Sequence, residues 1–357
     1  MRVLITSFLF LVAMIATAQN RTAFDASYPD VHDPVMAQDD DGRYYIFSTG
    51  AGVSIMSSAD MKVWQQEKPV FSVTMKGRDG KELKVEGNAT MPEWTVDSVP
   101  GFGGHFWAPD ISYHNGKWYL YYSCSTFGKN GSAIGLATNV TLNPSSPYYK
   151  WEDQGPVVVS HRNKDNWNAI DPNLVGKNLV YGSFWDGIQI LPLADDLKTA
   201  IAKPRTIARR LEKPIALEDV TNPDSFTMEG DQSIEAGDNA IEAPFIIENN
   251  GWYYLFVSWD YCCRGRSSTY KTVYGRSRNS EGPFLDKDGK DMAFGGGTYL
   301  AGPDDKFYGI GHCSAYKFGR QWYFVSHAYD IEKNGQAKLY LRKFKFDKKG
   351  WIVLIDN

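Results

Sequence analysis

One strand pattern recurs five times along the chain, and this recurrence narrows the possible folds most sharply. A short apolar strand, a turn bearing Gly or Asn, and an aromatic-rich strand occur at 32–49, 108–123, 170–184, 243–258 and 312–326. Asp41-Gly42, Asn115-Gly116 and Asn250-Gly251 are pairs that accept the positive φ of tight hairpins. The flanking strands alternate, as Tyr-Leu-Tyr-Tyr at 119–122 and Tyr-Leu-Phe-Val at 254–257 illustrate. The copies start 76, 62, 73 and 69 residues apart, room for about four strands each, and four-stranded sheets repeated around an axis make a β-propeller. The expectation is an all-β chain, a single five-bladed β-propeller domain over 19–357. The best helical candidate, 195–212, is short and polar. A β-sandwich with coincidental hairpins would not repeat a proline at the strand start, as Pro34, Pro109, Pro172 and Pro244 do.

In a propeller the first strand of each blade lines the central channel, so the neighbours of these prolines should converge at one mouth. Those neighbours are Asp33, Asp110, Asp171 and Glu242. Asp110 follows its proline, so alternation points it elsewhere, toward a turn or ladder-end hydrogen bond. The other three precede theirs and read as a functional set at matching repeat positions. Converging carboxylates suit cleavage of a glycosidic bond. One carboxyl protonates the leaving oxygen, an ionised one activates water, and a third anion raises the pKa of the acid. A calcium cage is the other use of three carboxylates. The 21 Tyr, 19 Phe and 11 Trp favour a sugar, whose faces stack on rings, although core packing is the commoner use of aromatics. A formal charge of −4 argues against nucleic acid.

Residues 1–18 read as a signal peptide: Arg2, an apolar run, then Ala16-Thr17-Ala18. No Cys follows that cleavage site to carry a lipid anchor, and no later apolar stretch approaches the roughly 20 residues of a membrane span. The expected location is secreted or periplasmic, and the expected state is a monomer. Cys124, Cys262, Cys263 and Cys313 are too few for a disulfide scaffold and read as mostly buried thiols.

The strings VHDP (31–34), WAPDIS (107–112), STFGKNGSAIGLATN (125–139), NAIDPNLV (168–175), GSFWDGI (182–188), IEAPFII (241–247), YLFVSWDYCCRG (254–265) and GIGHCSAY (309–316) resemble glycoside hydrolase family 43. Within it the endo-1,5-α-L-arabinanases are the nearest likeness. The resemblance implies a five-bladed propeller that inverts the anomeric centre of arabinan. It makes Asp33 the general base, Glu242 the general acid and Asp171 the modulator of the acid. It also implies sugar contacts from Trp107, Phe127, Asn168, Ser183, Phe184 and Trp185, the last of which would otherwise cap a blade. For His312 it implies a channel ion, usually calcium, held largely by water because neutral imidazole is a poor ligand for a hard cation. His32 reads as a positioning residue, whereas His105, His114, His161 and His327 carry no motif.

Residues 72–92 depart from the pattern as a longer first-blade connection, read as an exposed hairpin or loop. Two rivals remain: a β-xylosidase or α-L-arabinofuranosidase of the same fold, and a glycan-binding propeller without turnover. A retaining fructan hydrolase is disfavoured because its Arg-Asp-Pro and Glu-Cys strings are absent.

Overall fold

A computed structural model describes residues 24–77, 80–214 and 239–355; the expected signal peptide lies outside them. Each repeat forms the two inner strands of an antiparallel sheet. Blade 1 comprises Val35–Gln38, Tyr44–Ser48, Ser54–Ser58 and Gln65–Glu67. Blade 2 comprises His105–His114, Lys117–Cys124, Ser132–Asn139 and Glu152–Ser160, and blade 3 Asn173–Val175, Asn178–Tyr181, Ile188–Pro192 and Arg205–Ala208. Blade 4 comprises Ile241–Asn249, Trp252–Trp259, Lys271–Ser277 and Thr298–Ala301. Blade 5 comprises Phe307–Phe318, Gln321–Asp330, Gln336–Phe346 and Ile352–Ile355. A single parallel pair, Lys271 with Ile310, joins blades 4 and 5. The innermost strands pack on one another in the order 1-2-3-4-5 and back to 1, which closes a five-bladed propeller.

The turns follow local chemistry. Asn115-Gly116 and Asn250-Gly251 both have positive φ at each residue, matching the right-handed twist of the strands they join. At Asp41-Gly42 only the glycine is left-handed, in a longer loop. The helix considered for 195–212 does not form; the segment turns and then supplies Arg205–Ala208 as the outer strand of blade 3. The only α-helix among the described residues is Trp94–Ser98, and none is long and apolar enough to cross a membrane. Most aromatics serve the core: Tyr45, Tyr121, Tyr122, Tyr181, Tyr254, Tyr274, Phe47, Phe71, Phe106 and Phe256 are fully buried. Of the thiols, Cys124 and Cys313 are buried as expected, but Cys262 is half-buried and Cys263 is exposed, because both lie in the loop between the second and third strands of blade 4.

Two features tie the blades together. Residues 29–31 run antiparallel to 337–339, where Val31 N–H donates to Ala337 O (3.2 Å) and Leu339 N–H to Pro29 O (3.0 Å). The outer edge of blade 5 is thus built from both ends of the described chain, and Lys338 bridges to Asp30 at 2.7 Å. Inside the ring, Asp110 accepts from Asn173 Nδ2 (3.2 Å) and Leu174 N–H (2.8 Å), while Asn173 Oδ1 accepts from Ile246 N–H (2.8 Å). Asp110 is therefore a staple between blades 2 and 3, not a bond at a turn or within its own ladder. Burial raises its carboxyl to about 6 against these hydrogen bonds.

The 72–92 segment folds as a small three-stranded sheet of Phe71–Lys76, Glu82–Val85 and Ala89–Thr90. Its base lies against blade 2. A Cβ on Gly104 would come within 3.0 Å of Val73 and 3.3 Å of Met91, so only glycine permits that approach.

Candidate active site

The residue before each repeat proline, or before Cys313 in the fifth copy, occupies a backbone conformation that side chains seldom adopt. These residues are Asp33, Ala108, Asp171, Ala243 and His312, with φ of 55, 36, 59, 56 and 51°. The conformation lifts each amide out of the strand ladder, and each then bonds a side chain of the preceding blade. Ala108 N–H donates to Thr49 Oγ1 (2.8 Å), Asp171 N–H to Ser123 Oγ (3.1 Å) and His312 N–H to Ser258 Oγ (2.7 Å). Ala243 N–H donates to the Asp171 carboxylate (3.1 Å), and Asp33 N–H to Nδ1 of His327 (3.1 Å). Asp33, Asp171 and His312 are thus true repeat equivalents. Glu242 is not: Ala243 holds the matching place, and the acid sits one residue earlier, just before a break in the pairing of Ile241–Asn249.

The electrostatics separate the three carboxyls. His312 Nδ1 lies 3.0 Å from Asp33 Oδ1, and Thr49 donates to Oδ2 at 2.5 Å. Burial would raise Asp33, but the charge and hydrogen bond of His312 outweigh it and hold this carboxyl well below the ordinary range. Burial also opposes charge on His312, yet Asp33, Asp171 and Glu242 together raise the imidazole to about 9. Asp171 is raised to about 8, by burial first and then by Glu242 and Asp33, against the pull of His312. The cluster therefore keeps Asp33 ionised while holding a proton on Asp171 near neutral pH. Glu242, 8% exposed, accepts from Ser183 Oγ (2.9 Å) and Tyr270 OH (2.6 Å). Burial, then the Glu242 charge, holds the Tyr270 hydroxyl well above its ordinary value, so it stays a donor. The Ser183 hydroxyl can turn to accept, which lets Glu242 carry a proton.

A family model described as glycosyl hydrolases family 43 matches residues 28–352. The chain belongs to that family. It is 42% identical over 337 residues to an extracellular exo-α-(1→5)-L-arabinofuranosidase of Cellvibrio japonicus, covering 92% of this chain and 87% of the relative. Identity is 34% over 350 residues to an extracellular endo-α-(1→5)-L-arabinanase of Bacillus subtilis, covering 96% and 93%. A crystal structure of an exo-1,5-α-L-arabinanase from a bovine ruminal metagenomic library superposes with a TM-score of 0.80 at 52% identity, covering 94% of this chain and all of that one.

In this family 43 chain the other expected site residues divide into two groups. Asn168, Ser183, Phe184 and Trp185 come together, because 182–186 bonds back to 166–170 and Phe184 N–H donates to Ile241 O (2.8 Å). Asn168 is buried with its side-chain oxygen unpaired. Phe184 lies 5.9 Å from the Tyr261 ring. Trp185 is buried, and its carbonyl accepts from Asn239 at 2.6 Å. Trp107 adjoins the Ala108–Thr49 link and donates from Nε1 to His105 (3.2 Å), while Phe127 is 45% exposed on the loop beyond Cys124.

Sequence reasoning missed Thr49, Tyr270 and His327. A serine recurs near the end of the aromatic run in each copy, at 48, 123, 183, 258 and 326, but only Ser123 and Ser258 accept the inter-blade amide bonds. Tyr270 carried no signal, since it stands outside the copies. His312 has Nδ1 committed to Asp33, leaving one ring nitrogen for an ion. The grouped candidate ligands among the described residues are His32, Asp33 and His327, not His312.

Proposed function

We propose that this protein hydrolyses α-1,5-linked L-arabinan with inversion. The observation that carries the reading is the contrast between an ionised Asp33 and a buried Glu242 held by Ser183 and Tyr270 beside Asp171. Asp33 takes a proton from water as the water oxygen attacks the anomeric carbon. Glu242 gives its proton to the leaving oxygen as the old C–O bond breaks. Asp171 fixes the backbone beside the acid through Ala243 N–H. Trp107, Phe127 and Phe184 offer ring faces to sugars, and the unpaired Asn168 oxygen offers a hydroxyl an acceptor. Trp185, packed under the turn, supports this wall rather than stacking on a sugar.

Sequence strings favour internal cleavage; release from chain ends is the reading favoured here. The exo-acting names of the 42% and 52% identical proteins support it, as does the hairpin docked beside Gly104. Time-resolved products from linear arabinan test both statements. One short product from the first minutes is expected. An early mixed ladder restores the endo reading, and hydrolysis confined to xylosides or aryl arabinosides overturns the substrate. Binding without any product would make it a glycan-binding propeller. The extracellular relatives support export, and the expected state stays a monomer.

A calcium ion at His312 belongs to the same proposal. To hold a water-rich ion, His312 would have to be the neutral imidazole, with Nδ1–H still donating to Asp33 and Nε2 offered to the ion. Such an ion would offset the repulsion among the acids. Exhaustive chelation should then lower rate and melting temperature together, and His312→Ala should no longer respond to chelator. Full activity with no metal by elemental analysis leaves His312 as the cation paired with Asp33.

A further inference from the structure

Five amides leave the ladder at the channel mouth, and the five acceptors are not alike. Three are hydroxyls, Thr49, Ser123 and Ser258. One is the Asp171 carboxylate, which sits beside the acid. The fifth is His327, and it holds the amide of Asp33. In strand register His327, opposite Gly311, holds the place of Ser123, opposite Trp107, and of Ser258, opposite Glu242, and the adjoining serine is Ser326. Its hydroxyl instead donates to Gly311 O at 2.5 Å. An imidazole in a hydroxyl's place therefore needs a reason of its own.

The surroundings of His327 supply one. The side chain is 0% exposed. Nδ1 accepts from Asp33 N–H, so the ring proton is assigned to Nε2, which faces Tyr329 OH at 3.1 Å. Tyr329 OH in turn accepts from Cys263 N–H at 2.6 Å, tying in the loop between the second and third strands of blade 4. One ring face stacks on Tyr270 (5.7 Å, 24°), the donor to Glu242, and His32 lies 4.4 Å away. Serine could close the amide bond but could not reach these groups.

We infer that His327 is a positioning residue for the proposed hydrolysis, fixing the backbone of the base Asp33 relative to the acid Glu242 through one rigid imidazole. It touches neither substrate nor reacting atoms. Its task is the separation and direction of two carboxyls that act on opposite sides of one bond, where a displacement near 1 Å costs roughly 10²-fold in rate. The inference rests on Asp33 being the base, and its test is separable from that reading.

The test compares His327→Asn with His327→Leu in the full chain. Asn places its oxygen near the position of Nδ1 and keeps the acceptor; Leu keeps the bulk and loses it. On linear arabinan, Leu should lower kcat by about 10²-fold with KM changed less than about twofold. Asn should recover at least ~10-fold of that loss. Calorimetric binding of an arabino-oligosaccharide should match wild type in both. Equal kcat losses in the two variants, or a loss carried by KM, overturn the inference. Should Leu fail to fold by circular dichroism, His327→Ser replaces it: a hydroxyl that restores full kcat would show that any acceptor suffices, and would likewise overturn the positioning role. A wild type inactive on every arabinan fails the proposed function itself, before any variant is compared.

Discussion

Glu242 and Asp33 are both carboxylates at one mouth, yet substitution should separate them. Glu242→Gln removes the proton donor, so natural arabinan should lose about 10²–10⁴-fold in kcat. A dinitrophenyl glycoside, whose leaving group departs without a proton, should lose far less. Asp33→Asn removes the base, and both substrates should suffer alike. Steady-state rates on the two substrates for each variant decide the matter; equal losses for Glu242→Gln would take the acid role away from it. The residue identities were legible because acids beside repeated prolines stand out in five aligned copies. Their exact offsets were less so. Glu242 reads as equivalent to Asp171 in sequence, and only the left-handed φ at Ala243 reveals the one-residue shift. His327 was invisible for a physical reason: its meaning lies in a bond to residue 33, nearly the whole chain away, and no local pattern encodes that pairing.

The elements were the most readable level. Alternation, aromatic content and turn residues act within a few positions, so the inner hairpins of all five blades fall where the copies stand. The outer strands were harder, since Gln65–Glu67 and Arg205–Ala208 carry little apolar pattern at the edge of a sheet. Polarity at 195–212 suggested a helix for the same reason. The first-blade hairpin also belongs to this scale. Its base is anchored by Phe71 and Val73, both buried, while its tip is exposed. Replacing 75–84 with a short turn should therefore leave the melting temperature within a few degrees. If the hairpin closes one end of the groove, products from linear arabinan should change from a single short sugar to a mixed ladder. An unchanged profile would make it a surface ornament.

At the scale of the molecule, the buried cluster links stability to pH. Asp171 stays protonated in the fold up to about 8, whereas an unfolded aspartate ionises near ~3.9. Between those values the folded chain binds the extra proton, so stability must fall as pH rises. His312, protonated up to about 9 against an unfolded value of ~6.5, adds the same sign over the upper part of that range. Asp33 acts oppositely, but only below ~pH 4, where its depressed carboxyl loses its contribution on acidification. Melting temperature should drop between pH 5.5 and 9, by at most ~2 °C per kcal/mol lost, because the shift shrinks with chain length. Asp171→Asn should flatten much of that slope. A wild type whose melting temperature is flat or rises over the interval would contradict the assigned protonation.

The pairing of 29–31 with 337–339 sets an order of events for a chain being made. Four blades can assemble from neighbouring residues as soon as each has emerged. Blade 5 cannot complete its edge until Leu339 is available, roughly three hundred residues after its partner Pro29. The amide of Asp33 likewise waits for His327. The general base thus has no fixed position until nearly the whole polypeptide has been synthesised. A truncated product of four blades would contain Asp33, Asp171 and Glu242 and still lack the frame that aims them.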